Sequence, residues 1–447
     1  MEDVTYLPAR ELAARIRRRE LTAVEALRAY LERIAAHNPI LNAVVSLDED
    51  RALDAARAAD AAVERGEAIG PLHGVPMTLK DCHDVAGLRT TVGTPVFDRV
   101  AGEDGTVAAR LRAAGAVIVG HTNVPPFLAD YRSENEIFGR TANPWNLDRT
   151  PGGSSGGAAA ALAAGLTPVE VGSDLAGSLR LPPHFCGVYG LKATEHRVPA
   201  TGFFQPVRTA NPVRILGALG PMARDLGDLE LLLRVISGPD GVDSDVPPVP
   251  LPERRAAKLP GLRLATASAL PGADVSASLQ EQVSRVAAAA ADAGAAVEQR
   301  LPGVDWAEQS IFLPLMEAVT GAFQPGTEQR TLAWYFEMLS RRDAFTAVWE
   351  EFFAEYDALL LPPSATTAFA HDVTTVAAHG AMLVFANLAG LPALVVPAGA
   401  DADGLPIGLQ IVGPRWSEIR LIAVAAALEE AGILPGFVRP DGNALRR

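Results

Sequence analysis

The apolar positions of the first 66 residues recur at helical spacing. Thr22 and Glu25 form a capping-box pattern ahead of one such apolar face, which predicts a helix that stops at Asn38-Pro39. A second helix is predicted from about residue 48 to Gly66. The opening of the chain is therefore expected to be helical.

Beyond Gly66 the pattern changes to short apolar strands that alternate with helices. This alternation predicts α/β architecture, in which helices cover both faces of a sheet. The predicted strands are 75–79, 116–119, 168–171, 262–265, 358–361, 393–396 and 408–412. The predicted helices in this part are 106–114, 158–164 and 279–293.

A stretch rich in proline and glycine interrupts this pattern near the middle of the chain. Residues 237–240 and 246–252, the latter with four prolines, predict a loop or a linker. Strands are predicted on both sides of it. One sheet assembled from both halves of the chain is therefore favoured over two independent domains.

Composition and charge narrow the class of protein. The 447 residues are 49% hydrophobic and 21% charged, as in folded globular proteins, and the net charge of −14 should repel nucleic acid and anionic lipid. The N-terminal residues contain no apolar stretch of signal-peptide length, and the longest apolar run, 158–166, is too short to span a membrane. Two cysteines fit a reducing compartment. A cytoplasmic protein without nucleic-acid or membrane partners is predicted.

Three segments each place polar side chains directly after a predicted strand or at the start of a predicted helix, and we call them the polar segments. These are the places where α/β sheets put their functional sites. The segments are Gly74-Val-Pro-Met-Thr-Leu-Lys80-Asp81, Pro151-Gly-Gly-Ser154-Ser-Gly-Gly157 and Gly172-Ser-Asp-Leu-Ala-Gly-Ser178-Leu-Arg180.

Each segment carries one side chain that could take part in hydrolysis, and each of these also has an ordinary structural explanation. Burial lowers the pKa of a lysine, so Lys80 could act as a base, or it could form an ion pair with Asp81. Ser154 lies in a glycine-rich loop before a helix, which is also typical of a capping turn. Ser178 follows small residues whose N–H groups could form an oxyanion hole, or it could lie in a tight, solvated turn.

Other catalytic chemistries have less support. None of the eight histidines shows the spacing of a helical zinc site, so neither a metal nor a cofactor is expected. Residues 152–156 match Gly-x-Ser-x-Gly, but a polar loop precedes them where the nucleophile elbow of α/β-hydrolases requires a strand. No glycine-rich motif for dinucleotides or nucleoside triphosphates is present.

The three segments and further motifs along nearly the whole chain resemble the amidase signature family, whose members use a Ser–cis-Ser–Lys triad. The spacing of the two serines also looks like that of the family. The further motifs are Gly120-His-Thr-Asn123, Phe185-Cys-Gly-Val-Tyr-Gly-Leu-Lys192, Gly220-Pro-Met-Ala-Arg224, Asn387-Leu-Ala-Gly-Leu-Pro392 and Gly404-Leu-Pro-Ile-Gly-Leu-Gln410-Ile-Val-Gly413.

This resemblance implies a fold and a role for each segment. The expected fold is a single α/β/α domain with a twisted mixed sheet covered by helices on both faces. Its parts would be N-terminal helices (1–66), a catalytic core (67–240), a variable, pocket-lining region (241–345) and a C-terminal part of the same sheet (346–447). Lys80 would be the base, Ser154 the proton-relaying serine, after a cis Gly153–Ser154 peptide, and Ser178 the nucleophile.

The resemblance also implies the surroundings of the nucleophile. The N–H groups of Leu175, Ala176, Gly177 and Ser178 would bind the oxyanion. Asp174, Arg180 and Ser155 would support the reacting groups. The loop 129–138 and the segment 305–349 would wall the substrate pocket. Candidate pocket residues, each also a plausible core residue, are Phe127, Ala129, Tyr131, Phe203, Phe204, Trp306, Phe312, Phe323 and Trp334.

Two functions follow from the resemblance. The first is hydrolysis of the C–N bond of small amides, anilides or carbamates (a urethanase activity) through an acyl-enzyme on Ser178, with ester cleavage as a side activity, by a monomer or homodimer. The alternative is a glutaminase or amidotransferase A-type subunit that works with partner chains. Ala193-Thr-Glu-His196 departs from the Pro-Thr-x-Gly-Arg pattern expected of the A-type chain of a tRNA-dependent enzyme, which favours the first reading.

Overall fold

A computed structural model describes residues 3–207, 213–321, 330–373 and 377–440. The predicted helical opening is confirmed, with α1 (Ala9–Arg17), α2 (Ala23–Leu41) and, after the first strand, α3 (Glu49–Glu64). The capping box is present at the start of α2. Thr22 Oγ1 accepts a hydrogen bond from the Glu25 N–H at 3.0 Å, and Glu25 Oε2 accepts one from the Thr22 N–H at 2.8 Å.

The predicted end of α2 at Asn38-Pro39 is wrong, because the helix continues to Leu41. Pro39 lies in the last turn, where its missing N–H costs one intrahelical bond but its ring does not prevent the helical backbone. The helix ends instead at Asn42, whose φ of 51° is left-handed, and the residues that follow are held by the side chain of Asn38. Its Oδ1 accepts hydrogen bonds from the N–H groups of Ala43 and Val44 at 2.9 and 2.8 Å, just past α2.

The described residues contain strands of two to eight residues. In chain order they are β1 (Val44–Leu47), β2 (Pro76–Lys80), β3 (Arg89–Thr90), β4 (Arg99–Val100), β5 (Val117–Thr122), β6 (Glu134–Asn135), β7 (Gly139–Arg140), β8 (Val169–Asp174), β9 (Tyr189–Lys192), β10 (Ala218–Ala223), β11 (Arg263–Thr266), β12 (Ala296–Gln299), β13 (Ala358–Leu361), β14 (Ala393–Ala400) and β15 (Pro406–Val412). The remaining helices are α4 (Thr106–Ala113), α5 (Gly156–Ala163), α6 (Leu181–Cys186), α7 (Leu226–Ile236), α8 (Ala277–Asp292), α9 (Phe312–Gly321), α10 (Leu332–Glu355), α11 (Ala377–Gly380), α12 (Val384–Leu388) and α13 (Glu418–Glu430).

A large mixed sheet contains strands from both halves of the chain. Its order is β12-β11-β13-β15-β14-β9-β10-β8, with β11 parallel to both of its neighbours and the other pairs antiparallel. The proline-rich stretch that separates β10 from β11 holds no helix or strand. The predicted α/β class, with one sheet shared by both halves, is confirmed for these strands.

Helices cover both faces of this sheet, as the alternation of its buried residues shows. In β13, Leu360 joins the hydrophobic cluster that contains residues of α7, α8 and α13. Its neighbours Leu359 and Leu361 join the opposite cluster, which contains residues of α10 and α12. Successive side chains of a strand point to opposite faces, so the apolar residues of β13 contribute to a hydrophobic core on each face of the sheet.

A smaller sheet holds the first polar segment. Its order is β1-β5-β2, with β2 parallel to β5, so that Lys80 pairs with Thr122 at their carboxyl ends. The sheet lies beside β8, because the Thr78 N–H donates to Thr167 Oγ1 at 3.2 Å just before that strand. The ends of β2 and β8, from the first and third polar segments, also lie next to each other, because Lys80 Nζ lies 2.9 Å from Ser173 Oγ.

None of the helices in the described part of the chain combines the length and the apolar character that crossing a bilayer requires.

Candidate active site

Lys80 is the last residue of β2, a strand whose five residues are all buried. Its Nζ lies 2.7 Å from Ser154 Oγ and 2.9 Å from Ser173 Oγ. The ion pair with Asp81 that a purely structural interpretation would predict is not formed, since Asp81 instead accepts hydrogen bonds from the N–H and hydroxyl of Thr91. The amine is therefore directed at hydroxyl groups.

Burial determines the protonation of this amine. The Lys80 side chain is fully buried, and this loss of solvent lowers its pKa to about 8, although the carboxyls of Asp174 and Glu170 act in the opposite direction. A lysine in this environment has an accessible neutral form near neutral pH. Lys80 can therefore accept a proton from a hydroxyl group in contact with it.

Ser154 comes from the second polar segment, in the loop before α5. The Gly153–Ser154 peptide bond is cis, as the resemblance implies. Glycine is required at position 153 because a Cβ there would lie 2.4 Å from the carbonyl oxygen of Asp130. Ser154 is buried, and its Oγ lies 3.0 Å from Ser178 Oγ. Ser154 thus stands between the amine of Lys80 and the hydroxyl of Ser178.

Ser178 lies in the loop that follows β8, and Asp174 holds that loop in place. Asp174 Oδ1 accepts the N–H of Gly177 at 2.8 Å, and Oδ2 accepts the N–H of Leu179 at 3.0 Å. The Arg180 guanidinium donates to both carboxylate oxygens, at 3.0 and 2.9 Å. Asp174, the last residue of β8, therefore binds three of the next six residues and fixes the conformation of the loop.

The N–H groups of this loop divide into two sets. The Gly177 N–H, one of the four expected oxyanion donors, is engaged by Asp174 and is not available to a ligand in this conformation. In the described part of the chain, the N–H groups of Leu175, Ala176 and Ser178 donate to no protein acceptor. Three free donors beside one hydroxyl can bind a developing oxyanion.

Arg180 is fully buried and connects the loop to the C-terminal part of the sheet. Its guanidinium also donates to the Leu383 carbonyl at 2.7 Å, to Gln410 Oε1 at 3.0 Å and to Asn387 Oδ1 at 2.6 Å. Burial by itself would raise the pKa of Asp174, but the neighbouring Arg180 holds that pKa well below its usual range. The pair is therefore ionised at neutral pH.

The supporting residues Asn387, Gln410 and Ser173 lie in segments that the sequence analysis quotes, but no role was predicted for them. Gln410 is a polar residue in the middle of the apolar strand β15, and this contrast is a signal that could have marked it. Ser155, which was singled out, lies at the start of α5 with its Oγ 3.4 Å from the Ser173 carbonyl oxygen.

The candidate pocket residues fall into separate groups. Tyr131 lies at the loop of Ser178, and its hydroxyl donates to the Ala176 carbonyl at 2.6 Å. Ala129, the neighbouring candidate, ends the short 3-10 helix that contains Phe127. Phe127 and Phe204 contact the ring of Phe97 from two sides.

The other aromatic candidates lie beside a strand end or in the core. Phe203 contacts the ring of His83, which follows β2. Phe312 is buried in the cluster that contains α10 and α12, and Trp306 and Trp334 pack against that cluster. Phe323 lies outside the described residues. Leu175 and Ala176 of the Ser178 loop pack against the same cluster.

A metal site has no support from the described residues, in which no group of three or more histidine, cysteine or acidic side chains could hold an ion.

Comparisons with known proteins give consistent results. The family model described as Amidase matches residues 25–324 and 307–422. The chain is 35% identical over 480 residues to the A subunit of Glutamyl-tRNA(Gln) amidotransferase from Moorella thermoacetica, covering 96% of this chain and 97% of that protein. The solved structure of 6-aminohexanoate cyclic dimer hydrolase complexed with substrate superimposes with a TM-score of 0.86 at 28% identity, covering 99% of this chain and 100% of that one. The A subunit of Glutamyl-tRNA(Gln) amidotransferase from Thermotoga maritima gives a TM-score of 0.83 at 26% identity, covering 99% of each chain.

Proposed function

The chain belongs to the amidase family, and from this premise we propose that it hydrolyses the C–N bond of an amide through an acyl-enzyme formed on Ser178. The observation that carries the proposal is the continuous row of contacts from Lys80 Nζ to Ser154 Oγ at 2.7 Å and from there to Ser178 Oγ at 3.0 Å. A serine hydroxyl becomes a strong nucleophile when a neighbouring base removes its proton.

The proposed steps use only groups of this row and its loop. Ser178 Oγ attacks the carbonyl carbon while its proton passes to Ser154, whose own proton passes to neutral Lys80. The oxyanion is bound by the N–H groups of Leu175, Ala176 and Ser178. The same row then returns a proton to the departing nitrogen, and the C–N bond breaks. Water, deprotonated through the same row, hydrolyses the ester and restores Ser178.

The pH dependence of hydrolysis should report the neutral form of Lys80. Because its pKa is lowered to about 8 by burial, kcat/KM is expected to rise with pH on the acid side with a midpoint near pH 8. Lys80→Met should lose most of the activity, and the residual rate should lack this rise. The exposed Lys258→Met is the matched control and should keep the wild-type profile. An unchanged acid limb in Lys80→Met would contradict the role of Lys80.

The first candidate substrates are small amides, anilides or carbamates, cleaved without a partner chain. The hydrolysis of a 6-aminohexanoate cyclic dimer by a structural relative supports this candidate. The aromatic side chains of Phe203 and Phe204, near the end of β2, and of Tyr131, near the end of β8, would suit an apolar or aryl acyl group.

The second candidate is an amidotransferase subunit that releases ammonia from glutamine for a partner chain. The names of the sequence relatives favour this candidate more strongly than the stand-alone one.

The stretch 193–196 departs from the pattern expected of the A-type chain, and in this structure it forms contacts that link separate parts of the fold. Glu195 accepts hydrogen bonds from the Leu216 N–H and from Arg342 of α10, and the adjoining Arg197 pairs with Glu418.

One assay of the purified single chain separates the two candidates. The panel contains a p-nitroanilide, a simple carboxamide, a carbamate and glutamine, each with the wild type and with Ser178→Ala. Turnover of the anilide or carbamate by the wild type alone is expected for a stand-alone hydrolase. Ammonia release from glutamine without turnover of the other three would favour the amidotransferase role. Turnover that survives in Ser178→Ala would contradict both.

A further inference from the structure

Glu170 is a fully buried carboxyl group on the strand that leads to Ser178. Its Oε1 accepts hydrogen bonds from the hydroxyls of Thr78 at 2.8 Å and Thr122 at 3.0 Å, and its Oε2 accepts the Val171 N–H at 3.1 Å. In the described residues no basic group forms an ion pair with it. A buried carboxyl without a counter-ion is costly, so its presence in a strand whose residues are all buried calls for an explanation.

The two threonines place this carboxyl beside Lys80. Thr78 is two residues before Lys80 in β2, so their side chains leave the strand on the same face. Thr122 is the residue paired with Lys80 across β2 and β5. Both hydroxyls converge on one oxygen of Glu170. The carboxyl therefore lies on the face of the small sheet from which the Lys80 side chain leaves.

We propose that Glu170 is a positioning residue for the amide-cleaving reaction, which holds Thr78 and Thr122, two neighbours of Lys80 in the small sheet, and sets the pH at which the Lys80 amine becomes free to accept a proton. The inference rests on the proposed function of Lys80. For that reason the amine itself should be measured as well as the reaction.

The physical basis is the interaction of two buried titratable groups. Burial raises the pKa of Glu170 to about 8 and lowers that of Lys80 to about 8, so both groups exchange protons in the same pH range. When Glu170 loses its proton, its negative charge favours the charged, inactive form of Lys80. Glu170 in its neutral form leaves Lys80 free to lose its proton.

Other groups around the amine act on it as well. Asp174 favours the charged form of Lys80, Cys82 would do so only as a thiolate, and the buried His83 is also within electrostatic reach. Burial raises the pKa of the Cys82 thiol to about 12, and Asp174 stays paired with Arg180, so neither changes its charge near pH 8. Burial also lowers the pKa of His83 to about 3, so it is neutral there. Of these groups, Glu170 is the one whose charge changes together with that of Lys80.

The composition of the chain makes the amine directly observable. Lysine occurs only three times, at positions 80, 192 and 258. Protein labelled with ¹³C at the lysine ε-carbon should give three NMR signals, and the Lys80 signal is identified by its absence from Lys80→Met. Lys258 is exposed and serves as an internal reference, whereas Lys192 is buried. The titration midpoint of Lys80 can thus be followed without any assay of activity.

Glu170→Gln keeps the shape and the hydrogen-bond acceptor but cannot become charged. We expect the Lys80 midpoint to fall by roughly half to one pH unit and the acid limb of kcat/KM to fall by the same amount. Thr78→Val removes one of the two hydroxyls that stabilise the ionised carboxyl. It should lower the Lys80 midpoint and the acid limb of kcat/KM too, but by less than Glu170→Gln does. The matched control is Asp228→Asn. Asp228 is a buried carboxyl that accepts the N–H groups of Ala9 and Arg10 and pairs with the Arg10 guanidinium, and it is not among the groups that act on Lys80.

The outcomes separate this inference from the proposed function. A Lys80 midpoint that is unchanged in both Glu170→Gln and Thr78→Val, or that moves equally in Asp228→Asn, would overturn the inference. A midpoint that falls in the NMR titration without a shift of kcat/KM would support the influence of Glu170 on Lys80 and contradict the role of Lys80 as the base.

Discussion

Replacing Ser178 by alanine is expected to lower kcat for amide hydrolysis by about 10⁴-fold or more, with little change in the free energy of unfolding. The side chain lost is a single hydroxyl, but it is the atom that would form the bond to the acyl group. Its Oγ contacts Ser154, and that contact does not hold the loop, which is fixed by Asp174. Steady-state rates on the preferred amide, with thermal unfolding as a check of the fold, would measure both quantities.

A matched serine is available as a control. Ser284 is exposed on α8, where its hydroxyl donates only to the Gln280 carbonyl of the same helix. Ser284→Ala should keep the wild-type rate. Mass spectrometry of the wild type with a slowly hydrolysed ester should also detect an acyl group on the peptide that contains Ser178. Rates in Ser178→Ala that stay close to those of the wild type would rule out the acyl-enzyme.

Replacing Asp174 by alanine is expected to lower the free energy of unfolding by about 3–5 kcal/mol, because it leaves the buried charge of Arg180 without its carboxylate. The same change frees the N–H groups of Gly177 and Leu179, so the loop of Ser178 should lose its conformation and the activity with it. Denaturant unfolding at neutral pH measures the first effect, and kcat/KM measures the second.

The pH dependence of this stability difference has a definite sign. The pKa of Asp174 is lower in the folded chain than in the unfolded one, so its stabilising effect is present at neutral pH and shrinks as the pH falls below about 4. The exposed Asp274→Ala is the control, with an expected change within about 0.5 kcal/mol of zero. An equally small change in Asp174→Ala would show that other partners of Arg180 replace the carboxylate.

The sequence was informative where the apolar pattern was strong. The strand predicted at 358–361 has those bounds in the structure, and the resemblance to the amidase family is confirmed by the family model. Strands β9 and β10 were not predicted as strands, because glycine and proline interrupt their apolar residues. Each is buried on both faces, where neighbouring strands supply the pairing that the local sequence does not favour.

The part of the candidate site that lies at strand ends could be predicted from the sequence. The predicted row Lys80, Ser154 and Ser178 is brought together in space, although the chemical roles of its members stay predictions. The orientation of single N–H groups could not be predicted. Gly177 illustrates this, because its N–H is turned to Asp174 by a backbone conformation with φ of 118°, which depends on the whole loop. Glu170 carried a signal, a carboxyl between two valines in a strand, but its threonine partners lie on other strands.

The contacts of Arg180 have a consequence for how the protein is made. Its partners Leu383, Asn387 and Gln410 follow it by 203, 207 and 230 positions, so the loop of Ser178 is anchored by residues that are synthesised long after it. Pairings of such high contact order form late, after the entropy of closing a long loop has been overcome. A nascent or truncated chain that ends before residue 383 should therefore lack the contacts that anchor the loop of Ser178, and any activity that depends on this loop should be absent from it.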